Sequence, residues 1–158
     1  MKRFKWIPLL LLAVFCITAC TNEADVIKEP QQVQASFPED NKVNVASLDM
    51  TVGEVTDANK DIPVGDKLGN NKLVKLDVTL KNTTEYGIPI ASSTFRILDS
   101  SGKYHRNYAM EDELGQIISG GEVLEGMIYF AIPKERTIEK VIYEDTTRSA
   151  YQEWRVEK

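Results

Sequence analysis

Hydrophobic residues recur at every second position over most of the chain after Asn41, the spacing of strands with one buried and one solvated face. The clearest case is Leu73 to Leu80, where Val74, Leu76, Val78 and Leu80 alternate with Lys75, Asp77 and Thr79. Val43 and Val45, then Met50, Val52 and Val55, predict an N-terminal strand broken near Ser47. A polar turn follows at Asn82-Thr83-Thr84-Glu85, and Ile88, Ile90, Phe95, Ile97 and Leu98 supply another extended stretch. Ser100-Ser101-Gly102-Lys103 carries turn chemistry, with Gly102 free to take positive φ; Tyr104 then starts a return strand, so a hairpin is expected. Beyond the turn Ser119-Gly120-Gly121-Glu122, Leu124, Gly126, Ile128 and Phe130 alternate with Val123, Glu125, Met127 and Tyr129, and Pro133 stops the strand. Ile138 to Tyr143 and Tyr151 to Val156 complete a set of about seven or eight short strands. Asn107 to Gln116 could make one helical turn, capped by Asn107 and ended by Gly115. Short strands joined by Gly- or Pro-containing turns predict an all-β sandwich or barrel, of which the sandwich is favoured.

The first forty residues follow different rules. Lys2, Arg3 and Lys5 precede a run from Trp6 to Ala19 that is apolar apart from Thr18. Fourteen helical residues cover only about 21 Å, short of the ~30 Å bilayer core, so the segment reads as an export signal and not a permanent span. Its end, Ile17-Thr18-Ala19-Cys20, resembles the bacterial lipobox. That resemblance implies cleavage before Cys20 and a diacylglyceryl thioether on its sulfur; the bland alternative is an ordinary secretory signal with Cys20 a bystander. Two or more acyl chains on one cysteine anchor stably where a single chain does not. Thr21, in place of the aspartate that resembles an inner-membrane retention signal, would send the protein to the outer membrane in a diderm host. From Cys20 to Asn41 the chain is polar, contains Pro30 and Pro38 and has no period, as expected of a flexible tether. The expected division is therefore a signal over 1–19, a lipidated tether over 20–41 and a sandwich over 42–158.

Charge narrows the choice of partner. The 158 residues carry 19 Lys and Arg against 24 Asp and Glu. The first nineteen hold three of the cations and no acid, so their removal leaves 16 against 24, a net charge of −8. Such a chain is repelled by phosphate backbones, which argues against nucleic acid. Cys16 leaves with the signal, and the expected domain has no cysteine to pair, so packing must hold it together outside the cell.

The residues Leu76-Asp77-Val78-Thr79-Leu80-Lys81-Asn82, then Phe95 with Asp99 and Gly102, then Gly121, Gly126, Phe130 and Pro133, carry a resemblance. In this pattern the chain resembles a family of secreted bacterial domains of unknown function, many of them lipoproteins, related to a mycobacterial immunoprotein antigen. The resemblance covers about Lys42 to Tyr143 and implies an immunoglobulin-like sandwich and an extracytoplasmic address. It implies no shared activity. The Asp57 to Lys72 insertion and the acidic Glu111-Asp112-Glu113 run depart from the pattern.

Candidate chemistry is sparse. His105, the one histidine, is expected to sit exposed on a hairpin strand; with no second histidine and no thiol in the expected domain, a zinc site would need several carboxylates. No Gly-x-Ser-x-Gly elbow presents a nucleophile. Asp57, Asn59 and Asp61 begin like a calcium loop, but Ile62 and Leu68 stand where glycine and a bidentate glutamate are required, leaving a solvated loop or a weak oxygen site. Glu111-Asp112-Glu113 reads as a solvated acidic loop, although envelope hydrolysis by Asp99 and Glu113 is a competing reading. Of the aromatics Tyr104, Tyr108, Tyr129, Tyr143, Tyr151 and Trp154, most are expected in the core. Tyr151 and Trp154 have opposite parity on the last strand, so one of them faces outward as an interface candidate. The expectation is a lipid-anchored binding or accessory module of the bacterial envelope, without catalytic residues, cofactor or metal. Its expected partners are the membrane through Cys20 and an envelope protein or glycan. The alternatives are a hydrolase of envelope polymers, or an inhibitor or subunit of an envelope complex.

Overall fold

The computed structural model describes residues 34–35, 37, 41–110 and 114–157. The export signal, Cys16, Cys20, most of the tether and Glu111-Asp112-Glu113 lie outside them. The strands are β1 (Gln34–Ala35), β2 (Lys42–Val45), β3 (Leu48–Asp57), β4 (Asn71–Asn82), β5 (Ile88–Ala91) and β6 (Phe95–Asp99). They continue with β7 (Tyr104–Arg106), β8 (Gly115–Ile118), β9 (Val123–Pro133), β10 (Ile138–Asp145) and β11 (Ala150–Arg155). One sheet runs β1-β3-β4-β9, with β2 on the same edge of β3 as β1; the other runs β11-β10-β6-β7, and β5 and β8 form a separate ribbon. All pairings are antiparallel. The fold is the all-β, immunoglobulin-like sandwich expected.

β4 and β9 are the spine of the first sheet, paired without interruption from Asn71 opposite Pro133 to Lys81 opposite Val123. The alternation read from the sequence places Val74, Leu76, Val78 and Leu80 in the core, where they meet Ile128, Phe130 and Ile132 from β9. The second sheet supplies Phe95, Ile97, Val141, Tyr143 and Trp154 to the same core. Phe95 and Tyr143 contact each other at a ring separation of 5.1 Å and a tilt of 58°, the angled packing that aromatic quadrupoles favour.

The structure departs from the sequence reading at several elements. There are eleven strands among the described residues, not seven or eight. The expected break near Ser47 is a two-residue hairpin with positive φ at both Ala46 (47°) and Ser47 (67°). The stretch from Ile88 to Leu98 is cut by a 3₁₀ turn at Ser92–Thr94, and its halves enter different sheets. The helical turn expected within Asn107–Gln116 does not fit its end, where β8 begins at Gly115 and pairs with β5. The folded body also begins before Lys42: Gln34 and Ala35 pair with Thr56 and Val55, and Phe37 packs against the core.

Leu73 is buried on the face of β4 opposite the core residues, with Ala58 and Tyr129. The polar insertion after Asp57 explains it, since Ile62 and Leu68 pack over these side chains together with Tyr108, Met110 and Met127. Tyr108 Oη donates to Asp66 Oδ2 at 2.5 Å and ties the insertion down.

Candidate binding face

The site is built from the outward side of β6, β7, β10 and β11. On each strand alternate residues enter the core, and the rest form one solvent-facing layer. That layer holds Arg96 and Leu98 from β6, Tyr104 and Arg106 from β7, Lys140, Ile142 and Glu144 from β10, and Tyr151, Glu153 and Arg155 from β11. Ile142 is only 2% exposed although it faces outward. Its cross-strand neighbours are Arg96 and Glu153, both half-buried.

The charges on this face are ordered. Arg96 pairs with Glu144 and lies over the Tyr104 ring, 5.9 Å from its centroid. Lys140 Nζ donates to Glu153 Oε2 at 2.7 Å, and Tyr151 Oη donates to Glu153 Oε1. Those two hydrogen bonds hold the Glu153 carboxyl below its usual range, and the bond to Glu153 raises the Tyr151 phenol. Four cations, Arg96, Arg106, Lys140 and Arg155, thus stand against Glu144 and Glu153. The face is cationic on an otherwise anionic chain.

A groove of about 440 Å³ opens at one side of this face. Its hydroxyl and amide walls come from Ser93, Thr94, Asn107, Thr146 and Thr147, and its charged groups are Arg96, Arg106, Glu144 and Asp145. The turn after β10 is organised by Asp145: its Oδ1 accepts from the backbone of Thr147 (2.9 Å) and Arg148 (3.1 Å), and its Oδ2 accepts from Arg148 Nε at 2.6 Å. Burial pushes the Asp145 carboxyl up, but the bonds from Arg148 outweigh it and leave the group below its usual range. Arg148 Nη2 also donates to Tyr143 Oη, whose pKa burial lifts to about 12.

The residues singled out in the sequence separate. Tyr151 is 55% exposed and Trp154 only 5%, so parity decides between the two interface candidates in favour of Tyr151. His105 is a correction: it is 9% exposed, points inward between Tyr104 and Arg106, and has Nε2 2.8 Å from Asp99 Oδ2. Period two on a three-residue return strand with two polar, exposed flanks requires that inward direction, and this was the signal available in the sequence. Asp99 is a buried turn residue whose Oδ1 accepts from Ser101 N and Oγ and from Lys103 N. Asp57 accepts from the backbone and side-chain amides of Asn59 at 2.9 and 2.7 Å, and Asn59 Oδ1 takes the Leu73 N–H at 2.8 Å. The calcium-like run is therefore a tied 3₁₀ turn whose residues are solvent-exposed. Among the described residues, no group of three or more His, Cys, Asp or Glu side chains converges. Sequence reasoning missed Arg96 and Arg106, because their significance depends on the β6–β7 register.

Two facing sheets, a buried aromatic pair and a polar, tyrosine-flanked outer face define an immunoglobulin-like sandwich presenting one ordered surface. The chain belongs to the family described as domain of unknown function DUF4352, whose model matches residues 38–153. No match to a curated protein sequence was found. Among solved structures, the chain is similar to MPT63, a secreted protein of Mycobacterium tuberculosis, with a TM-score of 0.55 and 19% identity over 78% of this chain and 91% of that one. It is similar to ycdA, a candidate lipoprotein of Bacillus subtilis, with a TM-score of 0.56 and 16% identity over 72% of this chain and 38% of that one. The yjhA protein of Bacillus subtilis gives a TM-score of 0.54 and 16% identity, covering 75% and 96%.

Proposed function

We propose that this protein is a non-enzymatic binding or accessory module held by lipid on Cys20 at the extracytoplasmic face of a bacterial membrane. The observation that carries this reading is the Ile17-Thr18-Ala19-Cys20 sequence at the end of a basic-then-apolar leader, ahead of a family domain. Similarity to a secreted protein and to a candidate lipoprotein supports the same address. The Tyr104–Arg96–Glu144 face and its groove are the surface offered to an envelope partner or glycan. A second reading, docking on an envelope protein complex, is favoured by two large exposed residues, Tyr86 and Ile117, the latter packed against Gly87, which follows Tyr86 in the chain.

The test has two parts. Mass analysis of the amino terminus of protein purified from membranes is expected to give acylated Cys20, and a free amino terminus overturns the anchor. Crosslinking on intact cells is expected to recover a dominant envelope component with the wild-type protein and to lose it with Cys20→Ala. Equal recovery from both forms counts against anchoring as the basis of function.

A further inference from the structure

Arg96 and Arg106 are directly opposite each other in the β6–β7 register, both on the solvent side. Like charges in that position repel. Arg96 has a local answer in Glu144 and the Tyr104 ring. Among the described residues, Arg106 has no such partner, and it stands on the wall of the groove. An arrangement that lowers the stability of the empty sheet calls for a group that removes the penalty when it arrives. A phosphate oxyanion does so, because it accepts from both guanidinium forks at once.

The remaining walls restrict what carries that phosphate. Ser93, Thr94, Thr146 and Thr147 offer hydroxyls, Asn107 an amide, and Glu144 and Asp145 offer acceptors. This mixture suits a ligand rich in its own hydroxyls, each both donor and acceptor. The two carboxylates and the anionic remainder of the chain disfavour a continuous polyanion. A volume of about 440 Å³ is within the range of small-molecule sites.

We propose that the groove between the Ser92–Thr94 turn, β7 and the turn after β10 binds a phosphorylated polyol or sugar, with Arg96 and Arg106 on the phosphate. Glycerol phosphate is the simplest member of that class, and it occurs both as a free phosphopolyol and as a phospholipid headgroup. The proposal rests on the extracytoplasmic binding-module reading and gives it a ligand class.

The experiment is calorimetric titration of the full chain in phosphatidylcholine nanodiscs with glycerol 3-phosphate, inorganic phosphate and glycerol. Saturable binding is expected for glycerol 3-phosphate, weaker binding for phosphate and none for glycerol. Arg106→Gln is expected to weaken binding about tenfold or more, the loss of a charge-assisted pair. The same substitution is expected to leave the unliganded melting temperature unchanged or raised, because it removes the repulsion across β6 and β7; a merely structural arginine would lower it. Discs doped with phosphatidylglycerol separate the two sources: a headgroup ligand blocks the titration, and a free phosphopolyol does not compete with the lipid. Absence of saturable binding in undoped discs, or equal affinity in Arg106→Gln, overturns the site. The amino-terminal mass from the same sample tests the anchor separately, so either reading can fail without the other.

Discussion

Trp154 Nε1 donates a hydrogen bond to the backbone oxygen of Asn41 at 2.9 Å, joining the last strand to the residue that precedes β2. The indole lies in the core and the contact joins residues 113 positions apart in the chain. Trp154→Phe retains most of the apolar volume and leaves the Asn41 carbonyl without this donor. The expected cost is about 1–2 kcal/mol, read as a lower urea midpoint with an unchanged slope. A loss below a few tenths of a kcal/mol would mean that water satisfies the carbonyl as well as the indole does.

The turn after β6 makes stability depend on acid. Burial pushes the Asp99 carboxyl up, but bonds from Ser101, His105 and Lys103 outweigh it and hold the group well below the usual carboxylate range. The native state therefore binds fewer protons at Asp99 than the unfolded chain does. The resulting stability is fully present above the unfolded pKa of about 4 and is lost as pH falls toward the native value. Asp99→Asn is expected to destabilise at neutral pH by roughly 2 kcal/mol. It is also expected to flatten the acid limb of urea midpoint against pH, whereas parallel limbs in the two proteins would assign the acid sensitivity to other carboxylates.

The β2–β3 hairpin offers a gain. Its central residues, Ala46 and Ser47, both have positive φ, the geometry in which Asn-Gly is preferred because glycine lacks the Cβ that is strained there and the short polar side chain of asparagine hydrogen-bonds locally. Replacing the pair by Asn-Gly keeps the Ser47-position carbonyl that accepts from Thr83 N and Oγ1. We expect stabilisation of about 1 kcal/mol, a melting rise of about 5 °C. No rise would show that the Thr83 clasp already offsets the strain.

Two adjacent glycines separate steric from conformational demands. A Cβ on Gly120 would lie 2.6 Å from the carbonyl carbon of Glu85 and 2.8 Å from its Cα, a clash with backbone that no rotamer relieves. Gly121 has φ of 77° and open space around the same position. Gly120→Ala is expected to cost about 2–3 kcal/mol, and Gly121→Ala about 1–2 kcal/mol. Equal effects on thermal unfolding would mean that the loop shifts away from Glu85 at little cost.

Tyr151 tests the outer face as an interface. Its hydroxyl bonds to the half-buried Glu153, and its ring is solvent-facing. Tyr151→Ala is expected to change stability by no more than about 0.5 kcal/mol while reducing crosslinking to the envelope component. Unchanged crosslinking with unchanged stability removes Tyr151 from the interface.

The alternation of Val74, Leu76, Val78 and Leu80 was legible because a strand with one wet face carries its direction in every second residue. Gly115–Ile118 shows the opposite case. It directs one residue, Ile118, into the core and leaves Ile117 exposed, so no period marks it as a strand. Leu73 opens the same alternating strand in the sequence, but its burial on the outer face depends on the insertion that packs over it.

The order of residues by itself determined the all-strand class and the turns at Gly102 and Gly121, because these depend on neighbours within a few positions. Pairing Arg96 with Arg106 across a hairpin, burying His105 on Asp99, and joining Thr94, Asn107 and Thr147 in one groove were decided by the tertiary structure. Those relationships depend on strand register and on sheet packing between distant segments, where a slip of one residue turns every side chain to the other face.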